Sequence, residues 1–212
     1  MITVDEIAMR PTISFLSPQD KDRIHRATIK ILSDIGMKIL HDEALELLKD
    51  AGCSIDADRM VKIPGELVRK AVASAPSRIN IYDREGKQAM DLGGHRSYFG
   101  TGSDLIYALD SQTMQRRRCV LEDVARAART ADALSNIDFI MSFAHPSEFL
   151  AERANLQSFQ SMAANSTKPI VCTAASRSEL DAMWQISKIL RSGENELKQK
   201  PYAIYYGEPV SP

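Results

Sequence analysis

The chain has 212 residues, 44 % of them hydrophobic, with 27 Lys and Arg against 28 Asp and Glu. A net charge of −1 gives no electrostatic footprint for nucleic acid or an anionic membrane surface. No apolar run reaches the ~18–20 residues of a membrane span. The opening MITVDEIAMRPTISFLS lacks the basic-then-apolar order of a secretory signal.

Three scattered cysteines, Cys53, Cys119 and Cys172, suit a reducing cytoplasm, which is the expected location. Ser17 reads as an N-cap, with Pro18 at the first helical position. Ile24, Ala27, Ile31, Leu32 and Ile35 recur at helical spacing, and Gly36 ends the run. DEALELLKDAG follows as a second helix from Asp42 to Gly52. RMVKIP is a short extended piece, and PGELVRKAVASAP is a third helix starting at Pro64. Residues 1–77 are thus expected to form a helical N-terminal extension. From 78 to 118, short extended segments broken by Gly, Asp and Ser (RINIYDREG, QAMDLGG, RSYFGTGS, LIYALD, MQRRRCV) read as hairpins or a small β meander.

From 119 to 212 single helices alternate with single apolar strands. LEDVARAARTADAL is a helix, IDFIMSFAHP a strand and SEFLAERANLQSFQSMAANS a helix. KPIVCTAAS is a strand, SELDAMWQISKILRS a helix and YAIYYGEP a strand. Continuous apolar strands fit a parallel sheet covered on both faces, and the alternation builds right-handed βαβ units. The strands start near Ile137, Ile170 and Ala203, 33 residues apart each time. A (β/α)8 TIM barrel repeats about every 31 residues, and a doubly wound open sheet is the rival. The even spacing predicts the barrel. The last strand would be about the fourth, so only the first half of the barrel is expected here. A half barrel has two unpaired strand edges, so residues 1–212 alone are expected to be poorly soluble.

In parallel α/β folds the working face lies beyond the carboxyl ends of the strands. Three loops qualify: SFAHPSE with His145 and Glu148, CTAASRS with Thr173, Ser176 and Arg177, and YYGEPVS with Tyr205, Tyr206, Glu208 and Ser211. YFGTGSD is a further candidate for this face through Thr101, Ser103 and Asp104. His145 reads as a general base, a donor to an anionic group, a metal ligand or a plain loop residue. Glu148 reads as a first-turn helix residue facing the positive end of the dipole. No helix start explains Glu208. Tyr205 and Tyr206 take opposite faces of a regular strand. The inward one offers its ring to a quaternary ammonium or simply packs in the core. Arg116, Arg117 and Arg118 splay by strand alternation, toward solvent or toward an acidic partner. GTG at 100–102 fails the dinucleotide pattern because Leu105 stands where its third glycine belongs. No C-x-x-C, H-E-x-x-H or G-x-S-x-G occurs, so no bound metal and no triad is expected.

RIHRATIKILSDIGMKILHDEALELLKDAGCSID, VKIPGELVRKAVASAPSRINIYDRE, YFGTGSDLIYALD and NSTKPIVCTAA, in that order, resemble the trimethylamine methyltransferase family. The resemblance implies a TIM barrel with an N-terminal extension. It implies methyl transfer from a methylated amine, trimethylamine or a quaternary amine such as glycine betaine, to the Co(I) of a corrinoid (cobalamin) on a separate protein. Founding members use pyrrolysine in their second half, and many bacterial relatives lack it. The catalytic residues are therefore expected beyond residue 212. Asp104, His145, Thr173, Tyr205, Tyr206 and Glu208 are the candidate substrate-binding residues. A homo-oligomer is compatible with the sequence. A metal-dependent barrel lyase or hydrolase using His145 and Glu208, and a quaternary-amine binding protein without turnover, stay open as alternatives.

Overall fold

The computed structural model describes residues 13–207, in two compact units that divide after Ala75. In residues 13–75, helix α1 spans Pro18–Lys30. The Ser17 hydroxyl accepts the Asp20 N–H at 3.1 Å and Asp20 answers to the Ser17 N–H at 3.3 Å, a reciprocal cap that satisfies otherwise orphaned donors. The helix widens into a π-helical turn, Ile31–Ile35, closed by the Gly36 N–H on the Ile31 carbonyl at 2.9 Å. Gly36 has φ +83°, and a Cβ there would stand 2.5 Å from the Val61 carbonyl oxygen, so the position requires glycine.

Strand β1 (Met37–Lys38), helix α2 (Asp42–Asp50), strands β2 (Ser54–Ile55) and β3 (Met60–Lys62) and helix α3 (Gly65–Ser74) follow. The strands form a small antiparallel sheet in the order β1-β3-β2, of which the sequence showed only β3. Pro64 caps α3 from outside instead of opening it. Val61 and Cys53 are the buried apolar residues of this unit among those described. The stripe of α1 stays open, with Ile24, Ile31 and Ile35 all more than half exposed.

Residues 76–207 begin with an antiparallel hairpin, β4 (Ile79–Tyr82) with β5 (Gln88–Leu92). A second hairpin pairs β6 (Tyr107–Leu109) with β7 (Arg116–Arg118). Helices α4 (Leu121–Ala133) and α5 (Ala151–Asn165), strand β8 (Ile170–Cys172), helices α6 (Arg177–Leu190) and α7 (Glu194–Gln199), and strand β9 (Ala203–Tyr205) complete the order. The short α7 was not visible in the sequence.

β8 and β9 pair in parallel, Ile170 with Ala203 and Cys172 with Tyr205. Residues 137–144 join the same ladder through one parallel bridge, Ile140 to Ile170. Residues 99–105 join through two more, Gly100 to Phe139 and Leu105 to Ala144. The four extended segments therefore run in one direction, and their spatial order follows the sequence. The expected strand at 137–146 survives only as these bridges. Its partner segment is irregular, and the Thr101 hydroxyl, not a backbone carbonyl, accepts the Met141 N–H at 2.8 Å. Gly100 lies against the Phe139 ring, which a Cβ would meet at 2.3 Å.

The core lies between these segments and the helices. Val124, Ala128 and Ala131 of α4 meet Phe159, Met162 and Ala163 of α5, with Ile140, Ile170 and Met183. The small alanine face of α4 lets α5 approach closely. No helix among the described residues is long and apolar enough to cross a membrane.

Where β8 and β9 begin, the ladder is tied off by the β4–β5 hairpin. Tyr82 N–H donates to the Pro201 carbonyl at 2.8 Å and Arg84 N–H to that of Thr167 at 2.7 Å. The Arg84 guanidinium reaches the Ala163 carbonyl. Buried Arg191 donates to the carbonyls of Arg84 at 2.9 Å and Lys200 at 2.7 Å. Asp132 accepts the Ser166 hydroxyl and the Thr167 N–H, each at 2.8 Å. The amino-terminal end of the strands is thus filled with structural bonds.

Phe159 is fully buried, and truncating such a side chain costs about 3–5 kcal/mol. Phe159→Ala is expected to lower denaturant stability by that amount. Ile189→Ala, at a site 78 % exposed, should change it by less than about 0.5 kcal/mol.

Candidate functional site

The carboxyl ends of the parallel segments carry four of the expected residues. Asp104 is exposed and holds φ +64°, a left-handed conformation that Asp tolerates better than most residues. Its carboxylate accepts the Ser103 hydroxyl at 2.8 Å. Phe143, on the neighbouring segment, has φ +59°, which is strained for a bulky side chain. The two kinks interlock. Phe143 N–H donates to the Gly102 carbonyl at 2.9 Å and Leu105 N–H to that of Phe143 at 3.1 Å. Half-buried His145 then donates its N–H to the Leu105 carbonyl at 2.9 Å, which sets it one step beyond Asp104. Pro146 behind it is fully buried, and Ser147 is bonded to the Cys119 carbonyl through N–H and hydroxyl, each at 2.9 Å.

Thr173 follows β8 directly and is half buried. It lines a small cavity with Ser103, Ser142, and Asn155 and Ser158 of α5. Tyr206 N–H donates to the Cys172 carbonyl at 2.8 Å, so Thr173 and Tyr206 end adjacent strands. The backbone thus places Asp104 beside His145 and Thr173 beside Tyr206, all at one end of the ladder. Tyr205 takes the helix-layer face: with Ala203 it lines an apolar cavity of about 230 Å3 against Phe159, Met183 and Trp184, and it also borders the loop after β8 at Ala174, Ala175, Ser176 and Arg177. Strand alternation turns Tyr206 to the opposite face. Glu208 lies outside the described residues.

Three side chains acquire roles that the sequence reading missed. Glu179, in the first turn of α6, is 4 % exposed. Its carboxylate accepts the N–H of Ala175 at 2.7 Å and of Leu156 at 2.8 Å, tying the Thr173 loop to α5. A glutamate in a first turn reads only as a dipole partner, and nothing local reveals the bond to another helix. Glu148 also serves an N-terminus, but that of α4: it accepts the Leu121 N–H. Thr101 does not face the site. It both donates to and accepts from the Met141 backbone.

Of the three consecutive arginines, Arg117 alone turns inward. It grips Asp123 at 2.6 and 2.8 Å and Asp110 at 3.3 Å. The Arg117 bonds hold the Asp123 carboxyl below its usual range. Backbone bonds from Thr113 and Gln112, with Arg117, bring Asp110 down to about 2. Burial pushes the Cys172 thiol up to about 11, so it stays protonated at neutral pH. Among the described residues no three His, Cys, Asp or Glu side chains gather as a metal site would require.

A parallel α/β unit with one end tied off and polar residues at the other is a ligand-binding class of architecture. The family described as trimethylamine methyltransferase (MTTB) matches residues 3–212, and the chain belongs to that family. It is 27 % identical to a glycine betaine methyltransferase of Desulfitobacterium hafniense (strain Y51) over 205 residues, which are 95 % of this chain and 42 % of that protein. It is 27 % identical over 197 residues to a trimethylamine methyltransferase MttB of D. hafniense (strain DSM 10664 / DCB-2), covering 92 % of this chain and 40 % of the other. With MttB of Methanosarcina thermophila it shares 30 % over 213 residues, covering 94 % and 43 %. The chain therefore spans about two fifths of the length of these curated relatives.

Replacing Glu179 by Ala leaves the Ala175 and Leu156 amides, both only partly shielded from water, without their acceptor, a loss of about 1 kcal/mol per bond. The Ala175 amide should exchange hydrogen several-fold faster, while amides in α4 keep their rates. For Asp123 the depressed pKa means that its stabilising contribution is complete above the ordinary value of 3.8. That contribution is lost as pH falls below 3.8 through the depressed value. Asp123→Asn should melt several degrees lower than the parent at pH 7, and the gap should narrow as the pH falls below 3.8.

Proposed function

We propose that the protein containing this chain transfers a methyl group from a methylated amine, trimethylamine or a quaternary amine such as glycine betaine, to the Co(I) of a corrinoid carried by a partner protein. The observation that carries this reading is family membership over residues 3–212. The domain plan that goes with it is a helical extension over 1–77, short β segments over 78–118 and the first βα units of a TIM barrel over 119–212. The common direction of the segments at 137–144, 170–172 and 203–205 supports the barrel part of that plan, while the segment at 99–105 joins the same ladder from within the 78–118 stretch.

For a quaternary amine the chemistry asks little acid–base work of the protein: the Co(I) acceptor brought by the partner would supply the electron pair to the methyl carbon, and the C–N electrons would stay on nitrogen as a neutral tertiary amine. Trimethylamine would react as its protonated, cationic form, so that neutral dimethylamine leaves. What remains is to hold the methyl group in line with cobalt and to stabilise the bound cation. Tyr206 is the tyrosine turned away from the helix layer, and its ring face suits a quaternary ammonium. Asp104 supplies negative charge toward the same cation, and Glu208 is the second carboxylate candidate by sequence alone. A substrate carboxylate, if present, takes donors from His145 and Thr173. The interlocked turns at Asp104 and Phe143 keep two of the ends rigid, which favours positioning over adjustment.

The test mixes the full-length protein with Co(I) cobalamin and, separately, trimethylamine or glycine betaine. The expected result is conversion of the Co(I) spectrum to that of methylcobalamin with one of the two. Absence of conversion with every methylated amine overturns the reading. A lost cation–π contact is worth ~0.5–2 kcal/mol. Tyr206→Leu is therefore expected to raise KM about 2.3-fold to thirtyfold, and Tyr205→Leu to leave it within about 1.5-fold.

A further inference from the structure

We infer that the outer face of the β6–β7 hairpin docks a carboxylate-bearing surface of the partner protein that brings the methyl acceptor to the open end of the ladder; the inference rests on the methyl-transfer reading above. Register assigns the faces. Tyr107 pairs with Arg118 and Leu109 with Arg116, while Ala108 pairs with Arg117. The first four side chains therefore share one face of the two-stranded ribbon and Arg117 the other. Arg117 consumes the carboxylates within reach, Asp110 and Asp123. Neither Arg116 nor Arg118 forms an ion pair among the described residues. Both are exposed and both lean on Tyr107, the Arg116 guanidinium 3.7 Å and the Arg118 guanidinium 5.9 Å from the ring centroid.

The apolar members of this face are also open: Tyr107 is 42 % and Leu109 59 % exposed. Arginine and tyrosine around an apolar centre are the composition of a protein-binding surface rather than of an ordinary wet edge. Guanidinium groups held over a ring lose less side-chain freedom on binding than free ones. The two unpaired positive charges select an acidic counterpart.

Position adds to composition. The hairpin leaves directly from the carboxyl end of the first parallel segment, whose Leu105 bridges Ala144. Its second strand returns to Cys119, whose N–H meets the Ile106 carbonyl at 3.0 Å and whose carbonyl accepts from Ser147, two residues after His145. The surface is thus fixed to the rim of the end that carries Asp104 and His145. It is anchored from beneath by Arg117 on Asp123 at the start of α4.

The test uses two acceptors with the full-length protein: free Co(I) cobalamin, which needs no protein docking, and the corrinoid protein. In the double variant Arg116→Glu/Arg118→Glu, transfer to free cobalamin is expected to stay within about twofold of the parent. Transfer to the corrinoid protein should fall at least about tenfold in kcat/KM at low ionic strength, and its dependence on salt should flatten. The milder Arg116→Gln/Arg118→Gln pair, which removes charge without reversing it, should show a loss of about threefold, and it decides the matter if the reversed pair does not fold. Equal rates for parent and variants with the corrinoid protein overturn the docking inference, and so does an equal loss with both acceptors. Failure of the parent to methylate either acceptor overturns the methyl-transfer reading itself, and the docking inference with it.

Discussion

Parallel backbone pairing sets the direction of everything in residues 76–207. Gly100 meets Phe139, Ile140 meets Ile170, and Ile170 meets Ala203. Because every pair is parallel, all four segments start at one end and finish at the other. Loops before the strands and loops after them are thereby sorted to opposite sides of the unit. The two sides are treated differently. Before the strands, Arg84, Arg191 and Asp132 spend their side chains on backbone groups of Ala163, Lys200 and Thr167. After the strands, Asp104, His145, Thr173 and Tyr206 are left on or near the surface. The polarity of the ladder, not any single side chain, gathers these residues at one end.

The rim is held by buried charge. Arg117 and Asp123 fasten a hairpin to the start of α4, and Glu179 fastens the loop after β8 to α5. Breaking either leaves donors or a charge without a partner in a poorly solvated place, which is costlier than the bond is strong. Such supports keep this end of the unit rigid, and rigidity matters most in the proposed methyl transfer, in which placement in line with the acceptor is the main demand on the protein.

Much of this was legible from residues alone. The Ser17 cap, Pro18 and Gly36 bracket the first helix and its π turn because each satisfies or ends a helix by local chemistry. The 33-residue rhythm of apolar segments locates β8 and β9 and their shared direction. It places Thr173 and His145 after strands. What stayed hidden depends on contacts distant in sequence. The Phe143 kink reduces an apparent strand to bridges, and no residue type announces it. The assignment of Tyr205 to the helix layer depends on Ala203 and Trp184 sharing its cavity. Glu148 serves a helix that ended before it in the chain. The alternation of Arg116 to Arg118 was readable, but which arginine turned inward was settled by Asp123.

The most direct measurement of the central claim is a crystal structure of the full-length protein with a quaternary amine bound. The account predicts the ammonium group at the carboxyl ends of the parallel strands, against the Tyr206 ring and within reach of Asp104, with His145 and Thr173 turned toward the rest of the ligand. A ligand seated instead beside the β4–β5 turn, near Arg84 and Arg191, or against Tyr205 in the helix layer, would contradict it.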